Sequence, residues 1–463
     1  MLKISRLSNP LELRLVSLAE PAPRTLRQDL NAGVVDGTCH SIMVGIGETY
    51  LAAFTLALGL GEVAAGLITT LPLLAGALLQ MAAPWGVRRL GSPRRWVVLC
   101  ATLQALCFVP LMVLAISDRL PPWFVFPLAA AYWAAGLSTS AAWNTWMGSL
   151  IPATMRAKVF ASRTRLAQFG LLGGFVLGGI ALQYAALHGY ALRMFALLFL
   201  VAGLCRFISV VSLWYQSDVS PHASTQRQVP FGEWIRRLHS APDGKLLAYL
   251  LAIQCSVHIS GAYFTPYMLR HLGFSYAQYM VVIAAAVAGK ALAVPILGRV
   301  AHKWGARNLL FYGGIGIIPL SSLWLVSNAY PFLVGIQLLG AVAWAAYELA
   351  MALLFIEAIR DDERTSVLTT FNFAWSLATV VGSLIGAGLL MWGDKSVAAY
   401  LTIFGLSAIA RVAALTLLRR VPEFDRTIEQ LPSPQLVEAA LAAEQEHMPV
   451  EQLPATAGES IAA

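Results

Sequence analysis

The sequence predicts an all-α membrane protein: twelve transmembrane helices in two six-helix bundles, with both termini cytoplasmic. Three observations carry this expectation. The 463 residues are 58% hydrophobic and only 12% charged, whereas a soluble chain is usually about 45–50% apolar and about 25% charged. The mean hydropathy is +0.67, and the apolar residues fall in long runs, most of them able to cross a hydrocarbon layer of about 30 Å. Basic residues gather in alternate connections between those runs. Such a composition excludes a water-soluble enzyme and a disordered scaffold. The net charge of +8 reports membrane topology, with no nucleic-acid partner expected.

In order, the runs lie at about 33–57, 61–83, 95–116, 123–149, 159–184, 191–215, 246–270, 275–298, 307–328, 331–358, 366–392 and 396–418. With the amino terminus inside, the cytoplasmic connections hold Arg88, Arg89, Arg94 and Arg95, then Arg156 and Lys158, then Arg227, Arg236, Arg237 and Lys245, then Lys303 and Arg307, then Arg360 and Arg364. The opposite connections hold only Arg119, Arg193, Arg270 and Lys395. The expected organisation is a cytoplasmic segment 1–30, a first bundle 31–215, a cytoplasmic linker 216–245, a second bundle 246–420 and a tail 421–463. The linker piece PFGEWIRRLHS reads equally as a short surface helix and as a solvated connection. The tail, acidic and proline-containing, reads as disordered apart from a possible helix at SPQLVEAALAAEQEH. Residues 1–30 carry no cleavable-signal pattern. The cysteines Cys39, Cys100, Cys107, Cys205 and Cys255 form no CxxC and read as small apolar side chains, without disulfide or metal.

An internal repeat joins the halves. Arg89-Leu90-Gly91 aligns with Lys303-Trp304-Gly305 at an offset of 214, each following an even-numbered run. Arg156 aligns with Arg364 at an offset of 208, which also superposes Gly174 on Gly382 and Gly178 on Gly386. Both halves thus carry GxxxG at one distance past a basic residue, a pattern that lets helix backbones approach closely. Duplication of a six-helix unit explains the agreement.

Over residues 31–420 this arrangement resembles the major facilitator superfamily of secondary transporters. The loop motif of that family, Gly-x-x-x-Asp-Arg-x-Gly-x-Arg, is matched in the second half by Gly298, Lys303, Gly305 and Arg307, and in the first by Arg89 and Gly91. His302 and Arg88 stand where the family usually has Asp, and Pro84 replaces the first Gly. The resemblance implies a central cavity between two rocking bundles, with spans 1, 4, 7 and 10 innermost and 3, 6, 9 and 12 peripheral.

Ionised side chains at membrane depth need a partner, water or a function, since each costs about 2.5–3.5 kcal/mol on insertion scales. Glu48, within GIGETY beside Tyr50, and Glu348, after Trp344 and Tyr347, are therefore the proton-coupling candidates. His258, Lys290, Tyr50, Asn144, Tyr263, Asn372 and Trp375 are the substrate-cavity candidates, and Trp143, Trp146 and Tyr267 are weighed with them. Lys290 reads equally as offsetting Glu48 or Glu348 and as snorkelling inward. Asp36 and His40, at i and i+4, are expected to meet each other. Arg163 and Arg165 are expected at lipid headgroups, with cavity gating as the second reading. Because the resemblance makes spans 6 and 12 peripheral, Arg206 and Arg411 are expected to snorkel. Glu62 is expected to be solvated.

The expected function is secondary active transport of a small organic solute by alternating access, proton-coupled, in a monomeric multi-pass permease of a bacterial inner membrane. The partners are the solute, protons and lipid, with no cofactor. The alternatives are an uncoupled facilitator and a non-transporting sensor or scaffold. The sequence has no HExxH, GxSxG or Walker A pattern to make it an enzyme or an ATPase.

Overall fold

The computed structural model describes residues 26–117, 120–151, 153–218, 227, 229–360 and 363–422, and among them every regular element is helical. The expected tail and its helix lie outside the described residues. The first half comprises α1 (Leu26–Ile46), α2 (Leu51–Ala57), α3 (Glu62–Leu67), α4 (Leu71–Gln80), α5 (Ala83–Leu90), α6 (Pro93–Leu106), α7 (Phe108–Ile116), α8 (Val125–Leu150), α9 (Ala153–Leu187) and α10 (Ala191–Trp214). The second half comprises α11 (Phe231–Ser240), α12 (Pro242–Gly261), α13 (Phe264–Pro266), α14 (Tyr276–Trp304), α15 (Ala306–Ile317), α16 (Pro319–Ser322), α17 (Tyr330–Ala358), α18 (Arg364–Trp392) and α19 (Val397–Leu417).

Ten helical stretches among the described residues are long and apolar enough to cross a membrane. The runs expected at 33–57 and 123–149 form helices too, but are more polar. The first holds Asp29 and Asp36 on its buried side. Against neighbouring helices such groups find partners that lipid cannot supply.

The repeat seen in the sequence is a repeat of helix crossings. A Cβ at Gly174 would press on the Ile42 carbonyl of α1, and one at Gly382 on the Cys255 carbonyl of α12. One turn on, Gly178 meets the ring of Tyr50 and Gly386 the ring of Tyr263. The Tyr50 hydroxyl donates to the Phe175 carbonyl at 2.6 Å, and the Tyr263 hydroxyl to the Ser383 carbonyl at 2.5 Å. Glycine permits the approach, and each tyrosine then ties the two backbones together.

The same crossings coincide with breaks in the helices. α1 ends at Gly47, where a 3-10 turn spans Glu48–Tyr50, and a Cβ at Gly47 would strike Phe108. α12 ends at Gly261, and beyond Tyr263 a π-helical turn runs Tyr267–His271. The Thr49 hydroxyl donates to the Val44 carbonyl at 3.0 Å, one repair of the opened ladder. The motif glycines also have a physical role. Gly91 and Gly305 adopt φ of +67° and +78°, conformations that glycine reaches without a steric penalty where a helix ends and the chain reverses.

Of the two expectations for PFGEWIRRLHS, the short helix is found, as α11, and it is docked on the second half. Trp234 is buried, and Glu363, just before α18, receives Arg237 Nη1 at 2.6 Å as well as Arg227. Arg237 also grips Glu233 at 2.6 Å, and the Val229 amide donates to Ser366 Oγ at 2.8 Å. At the other end of the linker, Ser92 Oγ donates to Asp218 at 2.7 Å, with Arg94 at 3.7 Å.

Two outcomes are expected. Gly382→Val forces apart the α12–α18 crossing and lowers stability by about 1–3 kcal/mol, whereas Gly388→Ala, which meets open space, leaves it unchanged; thermal unfolding of purified protein compares them. Arg237, and after it Arg227, holds the Glu363 carboxyl down at about 2, below the ordinary carboxylate range. Docking of α11 is therefore fully supported above about pH 4.5 and is lost as pH falls from there toward 2. Hydrogen exchange over 231–240 reads this, and Glu363→Gln removes the pH step.

Candidate functional site

The end of the molecule that holds Leu26 and Val421 is the terminal end; the opposite end is the far end. Hydrogen bonds joining the halves cluster at the far end. Thr70 and Ser383 hydroxyls meet at 2.7 Å. Glu62 takes the Tyr400 hydroxyl at 2.8 Å and lies 3.2 Å from His271 Nε2. Arg270 reaches the Leu56 carbonyl at 3.4 Å, and the Ala277 amide donates to Gln183 at 3.1 Å. Glu62, expected to be solvated, is thus the hub of a seam. Its location at a run's end marked it in the sequence as surface, but the partners come from helices more than two hundred residues away.

Glu48 sits in the 3-10 turn, part-buried, and accepts the Tyr132 hydroxyl of α8 at 2.7 Å. Among the described residues it makes no ion pair. Lys290 of α14 pairs with Glu348 of α17, and the two side chains keep 21% and 23% exposure. That exposure faces inward. Leu292 and Ile296 are 75% and 59% exposed and mark the lipid-facing side of α14, and at about 100° per residue Lys290 lies about half a turn from Leu292. On α17, Leu339 is 66% exposed, and Glu348 is about half a turn out of phase with it.

The other candidates separate. Tyr50 and Tyr263 are fully buried and serve as struts at the crossings, not as an exposed lining. His258 Nδ1 lies 3.1 Å from the Gln254 carbonyl of its own helix. Trp146 donates to the Ser217 carbonyl at 3.0 Å, and Tyr267 to Asn328 at 3.3 Å. Asn372 and Trp375 are part-exposed on α18, with Trp375 against Phe371. Asn144 lies in α8, and its side chain is outside the described residues. Of the loop motif, Arg307 donates to the Val421 carbonyl at 3.2 Å, Arg89 and Lys303 are exposed, and a Cβ at Gly298 would meet open space.

Four expectations are corrected. Asp36 pairs with Arg163 at 3.2 Å, not with His40 alone, and accepts Ser209 Oγ at 2.7 Å. Arg163 is buried, stacked 4.3 Å over Trp143, instead of at headgroups; Arg165 is exposed. Arg206 does not snorkel: it is buried, 3.9 Å from Asp36 and bonded to Ser209 at 2.7 Å. Arg411 is likewise buried and donates to the Ile317 carbonyl at 2.6 Å and to Ser260 at 3.3 Å. The register of the helices held the missed signal. Arg206 continues the stripe Phe199, Ala202, Ser209, Leu213, and Arg411 the stripe Phe404, Ser407, Ala408, Ala414, all buried. Spacing of three and four places them on the packed face.

A family model described as Major Facilitator Superfamily matches residues 246–444. Over that stretch, in its second half, the chain is similar to that superfamily. Among curated proteins, "Multidrug resistance protein MdtL" of Klebsiella pneumoniae (strain 342) is 26% identical over 155 residues, 33% of this chain and 39% of that protein. The match therefore spans well under half the length of that relative. Among solved structures of transporters, the nucleoside transporter NupG gives a TM-score of 0.66 at 12% identity, covering 86% of this chain and 100% of that one. The D-xylose-proton symporter gives 0.60 at 16%, covering 86% and 98%. A bacterial homolog to the human lysosomal transporter Spinster, inward-facing and unoccupied, gives 0.60 at 13%, covering 91% and 97%. At these identities the structures show the fold. The many apolar helices indicate a multi-pass membrane protein.

Replacing Glu62 by Gln removes the charge from the far-end seam and weakens its hydrogen bonds, a loss of about 1–2 kcal/mol. Spin labels at Leu60 and Ala329 are expected to show a longer-distance population that grows about tenfold relative to the parent.

Proposed function

We propose that this chain is a proton-coupled secondary transporter of a small organic solute, alternating between a form open at the terminal end and one open at the far end. The observation that carries the proton step is Glu48: a carboxyl at membrane depth, on a helix break, with a hydroxyl partner and no ion pair among the described residues. Ionised, it accepts from Tyr132; protonated, it can donate to the same oxygen, so neither charge state leaves the pair unsatisfied. Glu348 is differently placed, since Lys290 compensates its charge, and it belongs to the solute side of the mechanism. The names of the relatives, a multidrug resistance protein, a nucleoside transporter and a sugar-proton symporter, fit a small solute and differ on its kind.

The basic loops support a cytoplasmic terminal end, for a protein of a bacterial inner membrane. Twelve spans follow if α1–α2 and α8 cross beside the ten apolar stretches. The Glu62 seam must open for the far end to admit solute. A division at the expected linker, 216–245, would let each half move as a body on the other.

Proteoliposomes are offered a nucleoside, xylose, ethidium and free amino acids, with and without an imposed pH gradient. Gradient-driven accumulation of at least one probe is expected. Glu48→Gln should reduce it more than tenfold while preserving exchange at equal concentrations. Accumulation unchanged in that variant overturns the proton step, and gradient-independent equilibration in the parent favours an uncoupled facilitator.

A further inference from the structure

We propose that the Lys290–Glu348 pair forms a bipolar site for a zwitterionic solute, one that carries an ammonium and a carboxylate a few bonds apart, as a free amino acid does. The inference rests on the transporter reading and names the substrate class of its cavity. Three observations carry it. The pair bridges α14 and α17, on the side of each helix turned away from its most exposed residues, Leu292 and Leu339. Both side chains remain about one-fifth exposed, and among the described residues neither has another hydrogen bond or ion pair. An ammonium has three donors and a carboxylate about four acceptor sites, so one contact leaves most of that capacity facing open space. Finally, the side chains that flank Lys290 along its helix are small: Ala284, Ala285, Ala286, Ala288, Gly289 and Ala291.

Charge balance selects the class. A solute carboxylate can take the free hydrogens of Lys290 while its ammonium takes the free oxygen sites of Glu348. Each of the four charges then has a partner, and the site is neutral before and after binding. A solute of single charge would leave one of the pair uncompensated in a region where that is penalised. A neutral solute would have to compete with an intact ion pair for its hydrogen bonds. Trp344 lies one turn before Glu348, part-exposed and edge-on to Tyr347 at 5.8 Å, and offers a wall to an apolar body beside the charged groups.

The test uses purified full-length protein and calorimetric titration with glycine, leucine and phenylalanine, each compared with its methyl ester and its N-acetyl derivative. At least one free amino acid should bind, with both derivatives more than tenfold weaker. Lys290→Met and Glu348→Gln should each abolish binding, and the exchanged pair Lys290→Glu with Glu348→Lys should recover it. Should the single variants fail to fold, the double variant Lys290→Met with Glu348→Gln, which removes both charges together, serves instead. The proposal is overturned if no free amino acid binds, if the derivatives bind equally well, or if binding survives in the double variant. Counterflow in proteoliposomes separates the two readings. A zwitterion that binds through the pair without being exchanged overturns transport but not the site, and one exchanged equally by the double variant overturns the site alone.

Discussion

An unpaired charge within a membrane is expensive, and the positions of the deep polar groups in this molecule follow from that one constraint. Asp36 gathers Arg163, Arg206 and Ser209. Removing one member would leave the others buried and uncompensated, the condition that makes broken buried pairs so destabilising. Arg411 is bonded to a carbonyl and a hydroxyl, which satisfies donors without neutralising charge. Lys290 and Glu348 pair. Glu48 stands apart, its partner among the described residues being a hydroxyl, and the proposed proton step rests on that.

Close helix crossings provide the frame that holds these groups. Glycines at equivalent places in the halves let α1 meet α9 and α12 meet α18 at backbone contact, and Tyr50 and Tyr263 fasten the crossings. Helix breaks occur at those places, so the functional turns hang from rigid points. The halves have diverged in their chemistry while keeping this frame. The first carries the lone carboxyl Glu48, and the second the ion pair proposed to meet solute.

Much of the frame was legible in the sequence. Gly174, Gly178, Gly382 and Gly386 announced the repeat, since small residues four apart mark close approach whatever the partner helix. Gly91 and Gly305 announced the turns. Glu48 and Glu348 were visible as acids inside apolar runs. What escaped were the partners. Tyr132 for Glu48, Tyr400 and His271 for Glu62, and Glu363 for the linker arginines are distant in the chain, and no local pattern joins them. Arg206 and Arg411 were a different case. Their i+3 and i+4 relation to buried neighbours was present in the sequence, and assigning the whole helix to the periphery obscured its inward face.

Composition and periodicity by themselves determined that this is a helical membrane protein with a duplicated plan, because hydrophobic length and small-residue spacing are local properties of the chain. Tertiary structure alone decided which deep charges are neutralised, which end is sealed and which tyrosines are struts. Those outcomes depend on where side chains from remote helices converge, and a carboxyl in an apolar run looks the same whether a lysine or a tyrosine waits across the gap.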